Sequence, residues 1–75
     1  GRFQVQALTP IDELNEAVGS NFDDHDYGTI GGLLMAECGR VPALDDVVVL
    51  EGRWEFRVTR AENRRIVSLE LKILD

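Results

Sequence analysis

The stretch that decides the fold is Arg53-Trp54-Glu55-Phe56-Arg57-Val58-Thr59-Arg60-Ala61-Glu62-Asn63-Arg64-Arg65-Ile66-Val67-Ser68-Leu69-Glu70-Leu71-Lys72-Ile73-Leu74. It alternates twice. Trp54, Phe56 and Val58 fall on one side and Arg53, Glu55, Arg57 and Thr59 on the other, which predicts a strand over 53–60 with one buried face. Ala61 to Arg64 has the length of a hairpin turn. From Arg65 to Leu74 the alternation resumes, with Val67, Leu69, Leu71 and Ile73 on one face. Such neighbours pair antiparallel. Trp54 and Phe56 keep the strand period, so they read as core rather than as a ligand platform.

Upstream, Val47 to Leu50 is a β-branched run that Glu51-Gly52 turns into the same meander. At the other end of the chain, Phe3, Val5 and Ala7 alternate with Gln4 and Gln6, a half-buried strand over 2–8. Two helices are expected between them. Thr9 is a candidate cap and Pro10 suits the first helical position. Asp12 and Glu13 place negative charge in the first turn, where the helix dipole favours it. Ile11, Leu14 and Val18 keep helical spacing, so 10–18 is the first helix. Residues 20–28 read as a polar loop. A second helix spans about 29–38, with Thr29 as candidate cap and Gly39 as stop. Gly31 and Gly32 in its first turn cost about 2 kcal/mol relative to alanine. A cost of that size points to a second backbone, or a ligand, in close approach. The expected fold is α+β: two short helices packed on one face of a small, mainly antiparallel four-stranded sheet, in the order β-α-α-β-β-β.

The 75 residues make one domain. A chain of this length buries roughly 60% of the surface it exposes unfolded, which leaves room for one core and one face, without a deep enzyme cleft. An apolar content of 44% favours a folded chain. No apolar run approaches the roughly 20 residues of a membrane span. The single cysteine, Cys38, excludes an internal disulfide, and Cys38 with the single histidine, His25, is too few for a zinc site. A net charge of −6 argues against nucleic-acid binding. Ser20 and Ser68 have no evident base partner and His25 lies in a charged loop, so no catalytic constellation is expected. The chain does not begin with Met and shows no signal peptide. The expectation is a segment of a longer protein.

Three sets of residues are candidates for binding. Asp23, Asp24 and Asp26, with Asp45 or Asp46 nearby, carry the oxygen chemistry that magnesium or calcium prefers. The alternation Asp24, Asp26, Gly28 is faintly like a calcium loop, but Met35 stands where the bidentate glutamate would fall. The plainer reading is a solvated loop. Gly31 and Gly32 at a helix start are a candidate site for an anion or nucleotide phosphate; close packing is the plainer reading, since no phosphate-loop motif surrounds them. Arg53, Arg57, Arg60, Arg64 and Arg65 give the hairpin a local +3 against −8 over residues 1–52. They are candidates to meet an acidic partner, a nucleotide or an anionic membrane surface. Cross-strand pairing, for instance with Glu55, is the alternative.

Several short motifs occur in order: Gly1-Arg2-Phe3, Pro10-Ile11-Asp12-Glu13-Leu14-Asn15, Tyr27-Gly28-Thr29-Ile30-Gly31-Gly32-Leu33, Gly39-Arg40-Val41-Pro42, Trp54-Glu55-Phe56-Arg57-Val58 and Arg64-Arg65-Ile66. Together they resemble the CorC/HlyC transporter-associated domain over nearly the whole chain. The resemblance implies that residues 1–75 are a single domain from the C-terminus of a bacterial membrane protein that also carries a transmembrane domain and a CBS-domain pair. Such proteins are described as magnesium and cobalt efflux or hemolysin-like proteins. It implies a non-catalytic regulatory module that modulates ion transport on the cytoplasmic side of the inner (plasma) membrane. Its implied partners are the CBS pair and transmembrane domain of the parent chain, with a homodimer as a further option and no nucleic acid. The family fold is related to a subdomain of flavin-binding oxidases, so FAD or an adenine nucleotide enters by fold analogy only, and no cofactor is expected in the isolated domain. The alternative is a sensing domain for a nucleotide, flavin or divalent cation. The chain departs from the family pattern at Gly28, usually Asp, and at Asp45, usually Gly.

Overall fold

The computed structural model describes residues 1–74. Strand β1 (Arg2–Gln6) is followed by helices α1 (Ile11–Val18) and α2 (Ile30–Cys38), then by strands β2 (Val47–Leu50), β3 (Trp54–Glu62) and β4 (Arg65–Ile73). The four strands form one sheet in the order β1-β4-β3-β2, and every neighbouring pair is antiparallel. The expected order and class are therefore those observed. Register explains the core. Phe3, Leu71, Phe56 and Val48 lie in one row across the sheet, and Val5, Leu69 and Val58 in the next. Phe56, Val58, Leu69 and Leu71 are fully buried beneath Ile11 of α1 and Ile30 and Leu34 of α2. Trp54 and Phe56 are core, as their spacing predicts.

The β3–β4 hairpin is tighter than expected. Ala61 and Glu62 belong to β3, and Glu62 pairs with Arg65. Only Asn63 and Arg64 turn the chain, both left-handed with φ of 51° and 61°. Positive φ at both central residues is the type I′ geometry, whose twist matches that of the strands. A register shift around Thr59 and Val67 also changes the inward phase: Ile66 is buried and Val67 only half-buried, the reverse of strict alternation. The extra residue in each strand rotates its neighbours by one position.

The helix starts differ from each other. Thr9 does not cap α1, because it is held elsewhere. Its N–H donates to Gln6 O at 3.0 Å and its carbonyl accepts from Ile30 N at 3.0 Å. Pro10 takes the cap position with no side-chain bond. The Ile11 N–H finds Gly28 O across the chain at 3.1 Å. Thr29 caps α2 as expected, its hydroxyl accepting from Gly32 N at 3.2 Å. Gly31 lies against the end of β1, donating to Ala7 O at 2.9 Å. A Cβ there would stand 2.9 Å from that oxygen and 3.0 Å from the Ala7 Cβ, whereas at Gly32 the nearest atom is the Thr29 hydroxyl at 3.4 Å.

The connection from α2 to β2 is held by one carboxylate. Asp46 accepts from Arg40 Nη1 and from Ala43 N, each at 2.9 Å, while Pro42 between them is fully buried. Asp45 is left-handed with φ of 69°, the conformation that glycine would take without strain. The Ala43 N–H, and then Arg40, hold the Asp46 carboxyl below its ordinary value of 3.8.

Three outcomes are expected. Gly31→Ala gains helix propensity of about 1 kcal/mol but meets a backbone oxygen, and overpacking of that kind costs about 1–3 kcal/mol. Its urea midpoint should fall, while Gly32→Ala should raise it; equal responses would contradict the packing account. Arg64→Gly should stabilise the hairpin by roughly 0.5–1 kcal/mol, since glycine relieves the left-handed cost, and a lower melting temperature would refute the turn assignment. The depressed Asp46 pKa adds stability above the unfolded value of 3.8 that is lost as pH falls through the lower folded value. The stability gap between the wild type and Asp46→Asn should therefore be constant above about pH 5 and shrink below pH 4. A gap independent of pH would dissociate Asp46 from the connection.

Candidate functional site

The five hairpin arginines do not form one cluster. Arg57 lies on the open face of the sheet, 3.3 Å from Asp45 Oδ1 and 3.5 Å from Glu70 Oε1. Arg2 reaches the same glutamate at 3.9 Å. Arg60 binds Glu62 with Nη2 at 2.6 Å and Nε at 3.1 Å. Arg53 lies over Trp54, its Cζ 5.3 Å from the ring centroid. Glu55, expected opposite an arginine, instead faces Lys72 and Val49. Arg64 and Arg65 make no ion pair among the described residues.

Those two lie at the hairpin tip beside apolar surface. With Val41, Pro42 and Leu44 they line a hollow of about 420 Å³. Arg65 also borders a smaller one, about 160 Å³, lined by Leu8, Met35 and Ile66. Leu8 is 83% exposed and Leu44 57%. Guanidinium groups set among exposed leucines suit contact with an anionic partner that also offers apolar surface.

Gly31 and Gly32 do not form an anion site. Ile30 N donates to Thr9 O, Gly31 N to Ala7 O, Gly32 N to the Thr29 hydroxyl and Leu33 N to Thr29 O. The helix start has satisfied its own donors, so nothing there remains to cradle a phosphate. The glycines serve the approach of α2 to β1.

The acidic loop is exposed, and Asp23 Oδ1 accepts from His25 N at 2.8 Å. Asp45 and Asp46 do not join it, because Arg57 and Arg40 hold them at the other side of the α2–β2 connection. Among the described residues no three His, Cys, Asp or Glu side chains converge to hold a metal ion. Asp23 and Asp26 instead share an open groove of about 340 Å³ with Glu37 of α2 and Glu51 beyond β2. Its apolar wall includes Phe22 and Tyr27.

That groove depends on residues that sequence patterning passed over. Asn15 of α1 clamps the following loop: its Oδ1 accepts from Ser20 Oγ at 2.7 Å and Phe22 N at 2.9 Å, and its Nδ2 donates to Phe22 O at 2.8 Å. The clamp turns Phe22 into the core, edge-on to Trp54 at 5.7 Å. The signal available was an asparagine on a short helix followed by an isolated aromatic in a polar loop.

Comparison with known proteins places this architecture. The family model described as the transporter associated domain, CorC_HlyC, matches residues 1–75. The chain is 41% identical over 73 residues to the magnesium and cobalt efflux protein CorC of Vibrio cholerae, covering 97% of this chain and 25% of that protein. Against CorC of Escherichia coli it is 41% identical over 71 residues, 95% of this chain and 24% of that protein. It thus spans about a quarter of the length of these relatives. Among solved structures, the CorC-associated region of a magnesium and cobalt transporter from Neisseria meningitidis superposes with a TM-score of 0.90 at 33% identity, covering 97% of this chain and 89% of that one. A CorC_HlyC domain of a Xylella fastidiosa hemolysin, in complex with Mg²⁺ and Mn²⁺, gives a TM-score of 0.86 at 27% identity, with 100% and 90% covered. The motifs in their order, the fold and the full-length family match agree: this chain belongs to the CorC/HlyC transporter-associated domain family.

Proposed function

We propose that this domain is a non-catalytic interaction module at the C-terminus of a longer CBS-containing membrane protein, where it modulates magnesium or cobalt efflux. It needs no cofactor of its own. It works on the cytoplasmic side of the inner membrane and docks on the CBS pair or transmembrane domain of its parent chain. One observation carries the docking face: Arg64 and Arg65, without ion pairs among the described residues, stand beside exposed Leu8 and Leu44, while the mid-sheet arginines are consumed by local carboxylates. The names of the relatives supply the efflux context. No helix among the described residues is long and apolar enough to cross a membrane, in keeping with a domain appended to a membrane part rather than inserted in it. The sensing alternative loses its phosphate cradle, because the donors of the α2 start are all in use.

The test is efflux of Mg²⁺ and Co²⁺ from loaded cells by the full-length protein. Deleting residues 1–75, or substituting Arg64→Glu with Arg65→Glu, should change the efflux rate several-fold, while Lys72→Gln on the open sheet face should not. Unchanged efflux after the deletion would overturn the proposal. Thermal unfolding of the isolated chain with MgCl₂, ADP or FAD separates the sensing reading. A ligand site would add about 2.7 kcal/mol at a hundredfold excess over its dissociation constant, and the interaction reading expects no shift.

A further inference from the structure

Strand β2 is an edge of the sheet. Apart from the hairpin bond from Arg53 N to Leu50 O, its residues make no backbone bond outside the β3 ladder among the described residues. Its outward N–H and C=O groups are therefore open. Val47 and Val49 are 50% and 46% exposed, and the four-residue strand carries neither a charge nor a proline, two of the usual protections of an edge. The acidic groove runs along the same element, because Val49, Leu50 and Glu51 form one of its walls.

A second copy of this chain does not suit that edge. Antiparallel pairing of β2 with itself, centred between Val48 and Val49, sets Asp46 opposite Glu51 at both ends of the new ladder. Like charges directly opposite are destabilising. The carboxylates Asp23, Asp26 and Glu37 beside the strand add to the repulsion. The same charges suit an extended segment rich in arginine or lysine. Its backbone would bond to β2, its apolar side chains would meet Val47 and Val49 on the open face of the sheet, and its cations, on the other face, would meet the Tyr27 ring and the four groove carboxylates.

We propose that β2 and the adjoining acidic groove form a strand-addition site for a basic, extended segment of a partner protein. This surface borders the Trp54 half of β3, whose other half runs on to the Arg64 turn. The proposal stands apart from the hairpin docking face: peptide binding can fail while efflux still responds to Arg64 and Arg65, and the reverse.

The probe is a fluorescein-labelled heptapeptide alternating arginine and valine, titrated with the 75-residue chain and followed by anisotropy. Two companion peptides carry glutamate in place of arginine, or N-methyl groups on alternate backbone nitrogens. The arginine peptide should bind, the glutamate peptide should not, and N-methylation on the pairing edge should weaken binding tenfold or more. Asp26→Asn with Glu37→Gln and Glu51→Gln should cause a similar loss. Neutralising Asp12, Glu13 and Glu16 on α1 should change affinity less than twofold. The proposal is overturned if the arginine peptide does not bind or if N-methylation is without effect. It is equally overturned if the α1 variant loses as much affinity as the groove variant, which would mean general attraction to an acidic protein. Dimerisation of the 75-residue chain, measured by light scattering and competing with the peptide, would assign the edge to a second copy instead and overturn the proposal.

Discussion

The contact on which the rest of the structure depends is the approach of Gly31 to Ala7. The α2 helix starts where its first turn can donate to the last carbonyls of the β1 segment, from Ile30 to Thr9 and from Gly31 to Ala7. Only a residue without Cβ fits, since any side chain would stand 2.9 Å from the Ala7 oxygen. That approach seats Ile30 and Leu34 over the sheet, where both are fully buried. It also holds Thr9, which moves the start of α1 to Pro10. The same bonds that position the helix remove the donors an anion would need. Packing and phosphate binding are alternatives for one set of N–H groups, and here packing has them.

The sheet was legible in the sequence because it is local. Alternation over 53–60 and 65–74 names the inward residues of two strands, and tight turns leave antiparallel pairing as the available arrangement. What the pattern missed depends on position along a neighbour. The offset at Thr59 and Val67 exchanges Ile66 for Val67 in the core, and no single-strand period signals it. Element order followed from the same local patterns, and the resemblance to the family carried context. It did not distinguish the two glycines, whose roles differ because Ala7 lies beside only one of them.

The binding surface was less legible, and the reason is electrostatic. Sequence shows a run of arginines but not which carboxylates meet them. Arg57 sits between Asp45 and Glu70, twelve residues before it and thirteen after, so its charge is spent within the fold. Exposed pairs of this kind contribute little stability, yet they decide which cations are left for a partner. The acidic loop was visible as a run of aspartates. Its continuation into Glu37 and Glu51 was hidden, because the groove forms only when α2 packs beside β2 and Asn15 seats Phe22.

The net charge of −6 therefore describes neither surface. Arg64 and Arg65 border the turn of the long hairpin, and the groove carboxylates gather where α2 meets the end of β2. Arg65 borders Met35 of α2, and Glu37 of the same helix lines the groove, so the two patches are joined through α2. A small domain with one core and no cleft can still present both signs of charge, because the fold pairs Arg57 and Arg60 with local carboxylates and leaves Arg64 and Arg65 at the turn.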